Sequence, residues 1–108
     1  MKCVVDYVDG PHAKHVENML LDLVDDLRSR GIDILRVTTA GLAIDTPHVH
    51  ITFVTDSQKL RGRKFDEMFG NVPIDEYERC LKYPDKPRFG GSLFEYVLDQ
   101  EGVEFYES

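Results

Sequence analysis

Cysteine is scarce in this chain of 108 residues, tryptophan is absent, and no apolar run is longer than a few residues. Cys3 and Cys80, its two cysteines, are too few for a disulfide scaffold and fit a reducing cytoplasm. A membrane-spanning helix needs about 20 consecutive apolar residues, so no membrane partner is expected. The opening Met1-Lys2-Cys3-Val4-Val5-Asp6 meets an acid almost at once, which is not the pattern of an export signal. A cytoplasmic location is therefore expected. Single cores span about 50 to 200 residues, so residues 1–108 are read as one domain.

An excess of positive charge is missing too. The net charge is −7, against the strongly basic balance by which non-specific nucleic-acid binders neutralise phosphate. The distribution is uneven. Residues 1–56 hold five Lys/Arg against nine Asp/Glu, residues 57–90 hold eight against six, and residues 91–108 hold five acids and no Lys or Arg. Basic character is confined to the middle third, where a local patch can form.

What is present is a hydrophobic content of 42%, enough for a core, in a clear pattern. Lys2 to Val8 is β-branched and nearly continuously apolar, as a central buried strand is, and Asp9-Gly10-Pro11 ends it in a turn. From there Val16, Met19, Leu20, Leu23, Val24 and Leu27 recur at helical spacing, with Pro11 in the first turn and Arg28, Arg30 and Gly31 at the end. Ile32 to Thr38, Leu42 to Ile44 and Val49 to Thr55 read as strands, the last two joined as a hairpin because their connection is too short for a crossover. Phe65 to Phe69 reads as one more strand. Pro73 to Leu81 predicts a short helix with Ile74, Tyr77 and Leu81 on its inner face. Ser92 and Glu95 form a capping box that starts another, ending near Gly102. Val103 to Tyr106 is a tail or an edge strand. The expected fold class is α/β: a small, mainly parallel sheet with a local hairpin, one long N-terminal helix and short C-terminal helices, in P-loop-like or Rossmann-like layers.

Two segments resemble known machinery. Asp9-Gly10-Pro11-His12-Ala13-Lys14-His15, between strand and helix, is similar to the phosphate-binding start of P-loop NTPases. Ala13 stands where that loop has a Gly, His15 where it has a hydroxyl, and Pro11 removes an N–H donor. Further on, Val49 to Thr55 followed by Leu60-Arg61-Gly62-Arg63-Lys64-Phe65-Asp66-Glu67-Met68-Phe69 resembles the strand, Leu-Arg-Gly loop and acidic strand of viral DNA-packaging ATPases, in which an Asp binds magnesium and a Glu is catalytic. Here Asp66-Glu67 opens its strand instead of closing it. The motif order resembles that of a small phage or prophage protein whose nucleotide machinery is missing or eroded.

His12 and His15 lie one helical turn apart and His48 and His50 share a strand face, but parallel strands would put the pairs at opposite sheet ends, so no metal site is assigned. No catalytic residue is assigned either: both cysteines read as packing residues, and no Ser sits in a Gly-x-Ser-x-Gly turn. The expected role is a non-enzymatic accessory or protein-interaction module without cofactor, self-associating through exposed sheet edges. A second reading is a nucleotide- or phosphate-binding protein using Gly10 and Lys14 with Arg61 and Arg63. A third binds single-stranded nucleic acid through the basic loop of Lys59, Arg61, Gly62, Arg63 and Lys64, with Phe65 for stacking.

Overall fold

The structure, a computed structural model, describes residues 1–103. Its central strand is the first, β1 (Lys2–Tyr7), whose alternate side chains go to two different cores: Val4 packs with the long helix and Val5 with the opposite layer. On the first face lies α1 (Val16–Ser29), burying Val16, Leu20, Leu23, Val24 and Leu27. It does not begin at Pro11. Residues Gly10–His15 form a 3-10 turn with no buried side chain, so burial starts only where the apolar stripe starts. Gly31 ends α1 in a left-handed conformation (φ 82), with its N–H on Arg28 O at 3.0 Å and that of Ile32 on Leu27 O at 3.1 Å. This double closure is the one the terminal glycine predicted.

The chain then forms β2 (Arg36–Thr38), β3 (Ala43–Asp45) and β4 (Val49–Val54) as an antiparallel meander, with β4 parallel to β1. Ile32 does not join β2, because its N–H closes the helix and its side chain is in the core. After a 3-10 turn, Ser57–Leu60, the chain crosses the second face to β5 (Glu67–Gly70), parallel to β1 on its other side. The order is β2-β3-β4-β1-β5. The expectation of a mainly parallel sheet is corrected. The sheet is mixed, because β2 and β3 form a hairpin as well as β3 and β4, and both pairings are antiparallel.

Two further helices complete the layers. α2 (Ile74–Cys80) covers the second face beside Val5, Val54, Leu60, Phe65 and Met68, while α3 (Leu93–Gln100) joins α1 on the first. The Ser92–Glu95 capping box is formed. The inner face of α2 differs from expectation in part: Tyr77 and Leu81 pack in the second core as expected, but Ile74 is 75% exposed and Glu76 and Cys80 are buried. The part of 103–106 beyond Val103 lies outside the described residues.

Candidate anion-binding cleft

The basic loop is built from its anchors outward. Asp56 caps the 3-10 turn, its Oδ1 accepting from Gln58 N at 2.9 Å, and Leu60 is fully buried. Leu60 to Arg63 then make a type II turn. Arg61 has φ −63 and ψ 134, Gly62 has φ +75, and Arg63 N donates to Leu60 O at 3.2 Å. That turn requires a positive φ at its third position, which is why a glycine stands there. Downstream, Phe65 is 2% exposed and forms an isolated bridge with Leu81 just after α2, donating from its N to Cys80 O at 2.7 Å. With Leu60 and Phe65 both sunk in the second core, the cations between them are held at the surface.

The loop faces α2 across a cleft of about 430 Å³ lined by Arg61, Arg63, Lys64, Arg79, Glu76 and Cys80, with Gly62 in the rim. Four cations meet one acid there, and that acid, Glu76, is committed to Arg79 in an i,i+3 ion pair. Lys64 Nζ donates to the carbonyl of Arg79, tying loop to helix. Arg63 lies over the Phe65 ring at 4.9 Å, and Arg61 has no acidic partner among the described residues. At the floor, the Cys80 thiol donates to Leu60 O at 3.3 Å. Burial, and then the charge of Glu76, push this thiol up despite Arg79 and Lys64, so it stays protonated and acts as a packing donor. The site suits a planar or tetrahedral anion, which arginine binds through its fork of donors. Lys59, in the last turn of the 3-10 segment, does not line it.

Gly10 and Lys14 are elsewhere. The chain leaves β1 towards the α1 face and leaves β5 towards the α2 face, so their C-terminal ends form a topological switch point, where α/β sheets bind ligands. The crevice there is lined by Asp6, Asp9, His12 and Asn71 and not by Lys14. Burial pushes the Asp6 carboxyl up, and Asn71 Nδ2 donates to Asp9 Oδ1 at 3.4 Å. Two carboxyl groups have the wrong sign for phosphate. Lys14 lines neither this crevice nor the cleft of Arg61 and Arg63.

The acidic pair at β5 is structural. Asp66 Oδ2 accepts from Cys3 N at 2.8 Å and faces Lys82 Nζ at 3.4 Å. Glu67, 6% exposed, accepts from Arg88 Nε at 2.5 Å and from Phe89 N at 3.0 Å. The histidines separate as the parallel pairing of β1 and β4 dictates: His12 and His15 follow the C-terminal end of β1, while His48 and His50 sit at the N-terminal end of β4. His48 Nδ1 is 2.7 Å from Glu101 Oε1, and His50 pairs with Asp45. No group of three metal-binding side chains occurs among the described residues.

Arg79 and Glu76 are the cleft residues that the sequence reading missed. Their i,i+3 spacing on a helical segment was the available signal, but nothing local tells that this helix folds back onto the basic loop. Phe65 is the converse case, a candidate stacking residue that the structure buries. Comparison with protein-family models, curated proteins and solved structures finds no match.

Proposed function

We propose that the protein is a non-enzymatic accessory module of phage type whose basic cleft captures an anionic partner, a phosphate-bearing strand or an acidic protein surface. The observation carrying this is the convergence of Arg61, Arg63, Lys64 and Arg79 on one cleft whose only acid is already paired. In a chain of net charge −7 the surrounding field repels an anion, so capture rests on this local concentration of cations, presented on a glycine-dependent turn with both ends anchored, and not on the charge of the whole chain. Binding by stacking of bases is disfavoured because Phe65 is buried. A nucleotide at Lys14 is disfavoured by the acids of the switch-point crevice.

Self-association belongs to the same proposal. The outer edge of β5 is met by the chain itself, Arg88 donating to Met68 O at 2.5 Å, and just before the strand Lys82 N donates to Phe65 O at 2.9 Å. A second copy would therefore pair along β2.

The test is charge reversal. Arg61→Glu with Arg63→Glu should leave the melting temperature within the small range of surface changes, about 0 to 1 kcal/mol for each site, while abolishing capture of a fluorescent acidic peptide and of a single-stranded oligonucleotide. Unchanged capture of both probes by the folded double variant would refute the role of the cleft.

A further inference from the structure

A second cleft, of about 240 Å³, opens beside the N-terminal ends of β1 and β5, separate from the basic loop. One wall is α3, which contributes Tyr96 and Gln100; β1 contributes Lys2, and the segment after α2 contributes Tyr83, Lys86 and Pro87. Tyr96 is the decisive residue. It is 6% exposed, and its ring is fixed edge-on against Phe69 at 5.6 Å and Phe89 at 5.3 Å. Its hydroxyl has no hydrogen-bond partner among the described residues, yet it is not sealed from the cleft. A buried phenol normally finds such a partner. Burial, and then the charges of Asp66, Glu67 and Asp99, push that hydroxyl up to about 12, so it remains a donor at neutral pH.

The other polar groups define what the donor faces. The two acids in the cleft are occupied, Glu67 by Arg88 and the Phe89 amide, Asp66 by the Cys3 amide and Lys82. Two ammonium groups remain without acidic partners among the described residues. Lys2 has none, and Lys86 rests only over the Tyr83 ring, 5.0 Å from its centroid. Tyr83 itself is 57% exposed, a flat apolar face at the mouth. The volume is below the roughly 300 Å³ at which pockets for drug-sized ligands begin, so one ring and one charged group fill it.

We propose that this cleft binds a small planar anion, a single aromatic or heteroaromatic ring bearing a carboxylate or phosphate. The Tyr96 hydroxyl, Lys2 and Lys86 hold the anion, and Tyr83 lies against the ring. The site is independent of the basic cleft.

The experiment is an amide NMR titration of the whole chain with benzoate and with phenyl phosphate, beside phenol and inorganic phosphate as probes that lack the anion or the ring. Either ring anion should move the resonances of Lys2, Tyr83, Lys86 and Tyr96, and which of the two binds identifies carboxylate or phosphate. Phenol and inorganic phosphate should bind at least about tenfold more weakly, and Tyr96→Phe, which keeps the packed ring, should weaken the ring anion about tenfold. Arg61→Ala should leave binding unchanged, which separates this site from the basic cleft. Failure of both ring anions to move these resonances overturns the proposal, as does wild-type affinity in folded Tyr96→Phe. If that variant does not fold, exposed Lys86→Ala decides in the same way: a weakened ring anion supports the site and an unchanged one overturns it.

Discussion

Gly62 shows what a single residue fixes in this molecule. Its φ of +75 completes the type II turn that presents Arg61 and Arg63, and a Cβ there would meet nothing within 4 Å. The cost of Gly62→Ala is therefore conformational and not steric, about 1–2 kcal/mol. Urea denaturation should show that loss; a change below about 0.3 kcal/mol would mean the turn is not held as described. This residue was legible in the sequence, since only the loop's own chemistry was needed. Glu101 was not. It accepts from Thr46 Oγ1 at 2.6 Å and His48 N at 2.8 Å and faces His48 Nδ1, contacts across more than fifty residues of chain. Burial alone would raise its carboxyl, but the hydrogen bonds from His48 and Thr46 outweigh it and hold it below its ordinary value of 4.5. A depressed folded value stabilises above the unfolded one and is lost as pH falls through the folded one. Stability measured from pH 6 down to pH 3 should therefore fall less steeply in Glu101→Gln than in the wild type, and parallel curves would count against this linkage.

Among the elements, those with periodicity and caps of their own were readable. α1 declared itself through its apolar stripe and Gly31, and α3 through its capping box. The structure refines the stripe: Leu20 is fully buried, Leu23 is 9% exposed, and Met19 is at the surface. Leu20→Ala and Leu23→Ala should each cost roughly 2 to 5 kcal/mol, with Leu20 the larger, because a site fully enclosed by core leaves the larger cavity. Equal losses below about 0.5 kcal/mol would mean the helix does not pack on this face. α2 was read only in part: Tyr77 and Leu81 do pack in the second core, but seven residues carry too few periods to fix a face, so Ile74 is exposed and a hydrogen-bonded Cys80 and an ion-paired Glu76 take inner positions. The second hairpin was missed for a related reason. β2 and β3 have three residues each, and their register is set by Val37 opposite Ile44 across the turn, a tertiary fact.

On the scale of the whole molecule, the chain covers one sheet edge and brings Arg61, Arg63, Lys64 and Arg79 to one cleft of an acidic chain. Arg88 does the closing: it neutralises buried Glu67, caps Met68 O and lies over the Tyr77 ring at 4.1 Å. Arg88→Ala leaves a buried carboxylate short of its cation and should cost about 1–3 kcal/mol, together with a new concentration-dependent association through the bared β5 edge. Sedimentation showing no change in association would argue against the edge-closing role. The charge separation bears on function most directly through salt. Each cation neutralising a phosphate on a single strand contributes about 0.7 to the slope of log affinity against log salt. The most direct measurement is that slope for a fluorescent single-stranded oligonucleotide, in the wild type and in Arg61→Ala with Arg63→Ala. Binding at low salt, with a slope about 1.4 shallower in the double variant, is what the basic cleft predicts; an equal slope in both proteins, or no binding by the wild type at low salt, would contradict it.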